Sequence, residues 1–410
     1  MPWHVAAWST PSPPTWGGRG LAKRSEAGGP RPPHVGGPRG CLLVITGKRE
    51  PNGQKPAAGR ENGSISKWRL QALAKGLLPG EKNLGKCCRT TLGQVEVWAS
   101  ASRQSAAYRG LCTCQSVWQC PVCSARISAR RAQELTEAIA THREAGGSVL
   151  LLTFTAAHDR FDALGDLLDR HKAAHARFWR LGQVRRVLAA LGLLGRVTAT
   201  ETTYGHGSGW HPHRHALLFV DAEAAEGLAP ANAERPELVQ RLDLAWRQCC
   251  TVAGLTAAAG IGLDVRGGES AGAYVAKLGL ELALATCKRG RGGRFGPWQL
   301  LAESADASAW AGSRFVEYAK ATKGSRHLVW SAGLKTALGV EEITDAEIMD
   351  APAEHDEERM VGLTRSLWRA VCRSEQRGQL LQLLGLGDIG AVEDLAWRLG
   401  IDPAAGFRWT

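Results

Sequence analysis

The run GWHPHRHALLFV, Gly209 to Val220, restricts the folds open to this chain more than any other feature. It places His211, His213 and His215 at every second position and then turns continuously apolar. Side chains alternate across a strand, so the three imidazoles share one face. The preceding run RVTATETTY is joined to it by the turn-rich GHGSG, and two strand-like runs so linked predict a β-hairpin.

Neighbouring runs place that hairpin among helices. SVLLLTFT, Ser148 to Thr155, is a short β-rich run, and FDALGDLLDRHKAAHARFWRLGQVRRVLAALG reads as one long or two consecutive amphipathic helices. Upstream, SARISARRAQELTEAIATHREAGG has apolar positions near helical spacing and stops at Gly-Gly. Downstream, a helix is expected over residues 236–258, a short strand in GLDVRG, and a helix over 270–286 that runs into the basic CKRGRGGRFG. This order predicts an α+β domain with a central, mainly antiparallel sheet flanked by helices.

Length and charge bound the partners. The 410 residues carry 51 Lys/Arg against 39 Asp/Glu, a net +12, most of it within residues 1–90, whereas residues 340–360 are acidic. A polyanionic partner fits that balance without being required by it. No apolar run is long enough to span a membrane and no export signal leads the chain, so a cytoplasmic protein is expected. Eleven cysteines, an odd number that includes the vicinal pairs Cys87-Cys88 and Cys249-Cys250, fit reduced thiols, some of them holding metal. Residues 1–65 are basic, rich in Gly and Pro and without apolar periodicity, which predicts a disordered tail. Three further segments are expected: a cysteine cluster with helix over 66–145, the hairpin-bearing domain over 146–300, and a mostly helical DNA-binding or accessory region over 301–410.

Neutral imidazole is a common ligand near neutral pH, and two histidines one residue apart can chelate one ion from a rigid strand. Glu201 in TATETTY could lie across the ladder and add a hard oxygen, a mixed set suited to Mn²⁺ or Mg²⁺ acting on a phosphate. The competing reading is a solvated sheet face lined with histidine. Tyr274, Lys277 and Glu281 share a helix face in ESAGAYVAKLGLELA. A Tyr beside a Lys is an activated nucleophile candidate, since the cation favours the phenolate and can grip a phosphate; ordinary packing and a surface ion pair are the alternatives.

A His-x-His strand followed by a helix with Tyr-x-x-Lys resembles the HUH endonuclease superfamily, in particular single-tyrosine rolling-circle replication initiators of bacterial plasmids. The blocks CQSVWQCPVCSARISARRAQEL, LLLTFT, GWHPHRHALLFV, AYVAKLGLELA, PWQLL, RFVEYAKATKGSRHLVWSAGLKTALG and TDAEI follow the family's order. The resemblance implies that Tyr274 nicks origin DNA and stays joined to the 5′ phosphate while the 3′ hydroxyl primes synthesis. It further implies that His213 and His215 hold the metal with Glu201, that His211 is a ligand or a donor beside them, and that Lys277 orients the phosphate. The Glu that some members carry four residues before the tyrosine is Ser270 here, so Glu269 or Glu281 would serve in termination. Arg214 stands where the family has a bulky apolar residue, on the opposite face, where it would reach solvent or DNA.

Cys112, Cys114, Cys120 and Cys123 lie within twelve residues, and the CPVC turn presents two thiolates as structural zinc sites do. The resemblance aligns Cys114, Cys120 and Cys123, leaving Cys112, Cys87 or Cys88 as the fourth ligand. Arg126, Arg130 and Arg131 after the cluster, and Lys288, Arg289, Arg291 and Arg294 after the tyrosine helix, are phosphate-contact candidates or solvated charge. The expected function is a plasmid replication initiator working on single-stranded or hairpin origin DNA with a host helicase and polymerase, and compatible with homo-oligomers. An HUH transposase or relaxase, and a non-enzymatic zinc-containing DNA-binding regulator, are the alternatives.

Overall fold

The computed structural model describes residues 66–100, 102, 104–226, 236–267, 293–306, 308–351 and 357–410. All belong to one unit, Arg60–Thr410. The tail expected over 1–65, the helix expected over 270–286 and most of the basic loop after it lie outside the described residues. Two antiparallel sheets with flanking helices give the α+β fold expected from the sequence.

The first sheet pairs β1 (Thr91–Ser100) with β2 (Ser105–Leu111), and then adds β8 (Glu358–Leu363) and β9 (Phe407–Trp409) from the other end of the chain, in the order β2-β1-β8-β9. The second has the order β6-β3-β5-β4-β7, with β3 (Gly147–Phe154), β4 (Gly195–Gly205), β5 (Gly209–Asp221), β6 (Leu263–Arg266) and β7 (Leu328–Trp330). The histidine run is thus a central strand, and the GHGSG turn closes the hairpin at Gly205↔Gly209.

Two layers of helix cover the second sheet. On the histidine face, α3 (Pro121–Glu144) lays Ala132, Leu135, Ala138 and Ile139 over Val149, Leu151, Leu217 and Phe219. On the reverse face, α4 (Leu164–Phe178) and α7 (Glu237–Val252) pack around Phe154, whose ring centroid is 5.0 Å from both Phe178 and Trp246. The Trp246 indole N–H donates to the Thr155 carbonyl at 2.9 Å, so the buried ring carries no unpaired donor. Residues 216–220 are buried, whereas His211, His213, Arg214 and His215 are only half-buried. The polar half of β5 therefore emerges from between the helix layers.

Local chemistry sets the helix ends. Helix α7 stops at Val252, short of the expected residue 258, because Gly254 adopts φ +71° and Leu255 N–H returns to the Cys250 carbonyl, a Schellman closure. The long amphipathic run is two helices, α4 and α5 (Gly182–Ala190), separated where Leu181 turns extended. Ahead of the first sheet lie α1 (Lys67–Leu77) and α2 (Lys82–Lys86); α6 (Ala222–Glu226) follows β5. Beyond β6 come α8 (Pro297–Glu303), α9 (Ala309–Ala321), α10 (Leu334–Ala337) and α11 (Asp345–Asp350), then α12 (Arg365–Arg373), α13 (Arg377–Gly385), α14 (Ile389–Arg398) and α15 (Pro403–Gly406). The C-terminal region is mostly helical among the described residues, but it also contributes β7, β8 and β9.

Candidate functional site

The antiparallel register fixes which side chains meet at the open end of the second sheet. Glu201 lies opposite His213, Thr203 opposite His211 and Ala199 opposite His215, so Glu201 shares the histidine face. Its carboxylate reaches diagonally, with Oε2 3.1 Å from His215 Nε2. From the other neighbour, Thr153 Oγ1 shares a 3.1 Å hydrogen bond with His215 Nδ1, and Thr155 Oγ1 a 3.3 Å one with His213 Nδ1. The hydroxyls of β3 and the loop after it thus orient the Nδ1 side of both imidazoles.

A fourth imidazole joins them. His158 Nε2 is 2.5 Å from His211 Nδ1, and the His211 and His213 rings stand edge to face at 4.1 Å. Burial, together with His213, Arg294 and His158 close by, pushes His211 down to about 3, so its ring is neutral at neutral pH. Burial, then Arg294, lowers His158 as well. His158 lies in TAAHDRF, outside any alternating pattern, so nothing local marks it as a site residue. Extending the β3–β5 register beyond Phe154↔Arg214 brings the chain after Thr155 alongside His211, which is the signal that finds it.

The loop after β3 is fastened in place. Asp159 N–H donates to Asp162 Oδ2 at 2.7 Å, Phe161 N–H to Asp159 Oδ1 at 3.0 Å, and Asp162 pairs with Arg170. Gly209 has φ +74°, and a Cβ there would come within 2.7 Å of the Arg160 backbone. The loop holds Phe161 81% exposed, with the Arg160 guanidinium 4.5 Å above its ring.

The other expected site residues divide sharply. Tyr274, Lys277, Glu269, Glu281, Lys288, Arg289 and Arg291 lie outside the described residues. Arg294 places its charge beside His158 and His211. Arg126 and Arg131, candidates for phosphate contact or solvated charge, are engaged within the protein. Arg126 donates to the Ile348 and Ala351 carbonyls, while Arg131 pairs with Glu134 and Asp345 at 2.8 Å. Arg130 is 3.8 Å from Glu134. The acidic run after residue 340 supplies much of this docking, which charge counting along the sequence could not reveal. Arg214 points away from the histidine face into a half-buried position near His171 and His175 rather than to open solvent, and burial lowers its pKa.

The cysteine cluster gathers with one substitution. Cys87, Cys114, Cys120 and Cys123 have sulfurs that all lie within 4.8 Å of one another, the one group of three or more metal-ligand side chains among the described residues that converges so closely. Of the three candidates for the fourth place, Cys87 is in it and Cys112 is not. The Cys112 backbone is committed to pairing, with Cys112 N–H donating to the Thr90 carbonyl and Cys88 N–H to the Cys112 carbonyl. Sulfur contacts from Cys114, Cys120 and Cys123 hold the Cys87 thiol far below its ordinary range, while Cys120 and Cys87 push Cys114 up and Cys114, Cys120 and Cys87 push Cys123 up.

A replication protein family model matches residues 107–226, from β2 through the β4–β5 hairpin. Protein rep of Streptomyces lividans is 29% identical over 333 residues, covering 64% of this chain and 73% of that protein. The neomycin resistance protein of Streptomyces cyanogenus is 36% identical over 149 residues, 30% of this chain; the chain spans 34% of that relative's length. No solved structure matches the chain. Together these similarities support a replication protein. No helix among the described residues is long and apolar enough to cross a membrane.

Proposed function

We propose that this protein initiates rolling-circle replication of a plasmid, as a metal-dependent HUH nickase and strand transferase acting on single-stranded or hairpin origin DNA. The carrying observation is one sheet face that gathers four histidines and a carboxylate inside the segment similar to replication proteins. Tyr274 Oη attacks the scissile phosphorus and its proton leaves to a nearby base. The P–O3′ bond breaks, the 5′ phosphate remains on the tyrosine, and the protonated 3′ oxygen becomes the primer for the host polymerase behind a host helicase. Lys277 orients the phosphate, and Glu269 or Glu281 serves in termination.

His213, His215 and Glu201 would hold a divalent ion, Mn²⁺ or Mg²⁺, with His211 beside them. When bound, it supplies Lewis acidity to the phosphate. One pair is spaced for such an ion: donors at right angles around a metal with bonds of about 2.1 Å stand about 3.0 Å apart, close to the 3.1 Å between His215 Nε2 and Glu201 Oε2, and the other side chains would have to draw in to complete the set. The neutral state of His211 suits a ligand, because a protonated imidazole has no lone pair to give. Arg294 offers a cation to the DNA backbone, and the exposed Phe161 ring offers a face on which a base can stack.

The test is cleavage of single-stranded origin DNA by the full chain with Mn²⁺. A covalent protein–DNA adduct is expected, lost in Tyr274→Phe. The double change His213→Ala, His215→Ala should abolish cleavage while retaining most of the origin binding. No adduct with the unaltered protein, or an undiminished one in Tyr274→Phe, overturns the nickase; equal loss of binding and cleavage in the histidine variant points to a structural strand.

A further inference from the structure

We infer that Cys87, Cys114, Cys120 and Cys123 bind one zinc ion, a structural tetrathiolate site that staples the chain after α2 to the head of α3. The sulfurs of Cys87 are 3.7 Å from Cys120 and 3.4 Å from Cys123, and Cys114 is 3.7 Å from Cys123. Tetrahedral zinc with Zn–S bonds of about 2.3 Å requires sulfur separations of about 3.8 Å. The arrangement needs only a small expansion to accept the ion. These separations also exclude disulfides, whose sulfurs bond at about 2.05 Å.

The surroundings are built for thiolates. Cys120 is the N-cap of the 24-residue α3, Pro121 opens the helix, and Cys123 lies in its first turn. The positive end of the helix dipole therefore faces both sulfurs. Gln71 Nε2 donates to Cys120 Sγ at 3.3 Å, and its Oε1 accepts from Arg377 Nη1 at 2.7 Å. Arg377 is completely buried and also donates to the Cys88 carbonyl. Outer groups of this kind orient a metal's ligands and balance their charge. Four sulfurs with no oxygen or imidazole among them form a soft donor set, which in tetrahedral array favours zinc over the hard divalent ions. Cys87, Cys120 and Cys123 are buried and Cys114 is half-buried, so the set is closed, as structural rather than catalytic zinc sites are.

This site stands apart from the histidine face and does not depend on the nickase reading. The experiment is metal analysis of the full chain after dialysis against EDTA, with X-ray absorption at the zinc edge. One zinc per chain with a sulfur-only first shell is expected, released by a mercurial that blocks thiols. Cys87→Ser and Cys120→Ser should each lose the retained zinc, and Cys112→Ser should keep it. His213→Ala, His215→Ala should keep it too, which separates this site from any ion on the histidine face. If the cysteine variants fail to fold, the absorption spectrum of the unaltered protein decides alone. No retained zinc, iron in its place, nitrogen or oxygen in the first shell, or loss of zinc in Cys112→Ser with retention in Cys87→Ser overturns the proposal.

Discussion

His171 is buried against Trp246, with ring centroids 5.2 Å apart and no partner on either nitrogen. Burial, reinforced by the Arg214 and His213 charges, lowers it to about 3. The unfolded chain takes up this proton below about pH 6.5 and the folded protein does not until about pH 3, so the group costs stability as pH falls through that window and nothing above it. Between pH 7 and pH 5, urea unfolding of His171→Leu should lose about 2 kcal/mol less than the unaltered protein. Equal losses would place a proton on His171 in the fold. Arg214 gains its account here as well. Alternation put it correctly on the reverse of the histidine face, but only packing puts it beside two buried histidines, where its charge helps to keep both neutral. The three strand histidines were legible one by one, whereas His158 was not, because nothing in its local pattern marks it.

Strand β5 and its hairpin were readable because their signals are local: alternation, an apolar run and a glycine-rich turn. Helix α7 ended early for an equally local reason, a left-handed glycine that periodicity alone overlooks. The loop between β3 and α4 is different, since its shape depends on an element fifty residues later. Gly209 leaves room for the Arg160 backbone and so lets the loop bring His158 to the histidine face. Gly209→Ala should cost about 1–3 kcal/mol in urea unfolding, from strain at a positive φ and the clash with Arg160. An unchanged midpoint would mean that the loop does not need this close approach.

Across the whole molecule, the first sheet ties residues 91–111 to residues 358–409. Phe407 is buried on β9, which among the described residues pairs only with β8, and β8 pairs in turn with β1. Phe407→Ala should cost about 3 kcal/mol. It should also speed amide exchange in β1 and β8 more than in β5. Faster exchange confined to β9 would show that the sheet does not open as a unit. Such closure between distant segments could not be read in advance: β1 and β8 carry no mark of their partners. The same holds for the cysteine set, where spacing gathered Cys114, Cys120 and Cys123 but favoured Cys112 over Cys87.

By itself the sequence determined the α+β class, the hairpin, the shared face of the three histidines and the positions of α3, α4, α5 and α7, since turn chemistry and periodicity act over a few neighbouring residues. Only the tertiary structure decided that His158 meets His211, that Cys87 completes the thiol cluster, that Arg126 and Arg131 turn inward, and that residues 91–111 and 358–409 share a sheet. Those contacts join segments distant in sequence, and the packing of whole elements selects them.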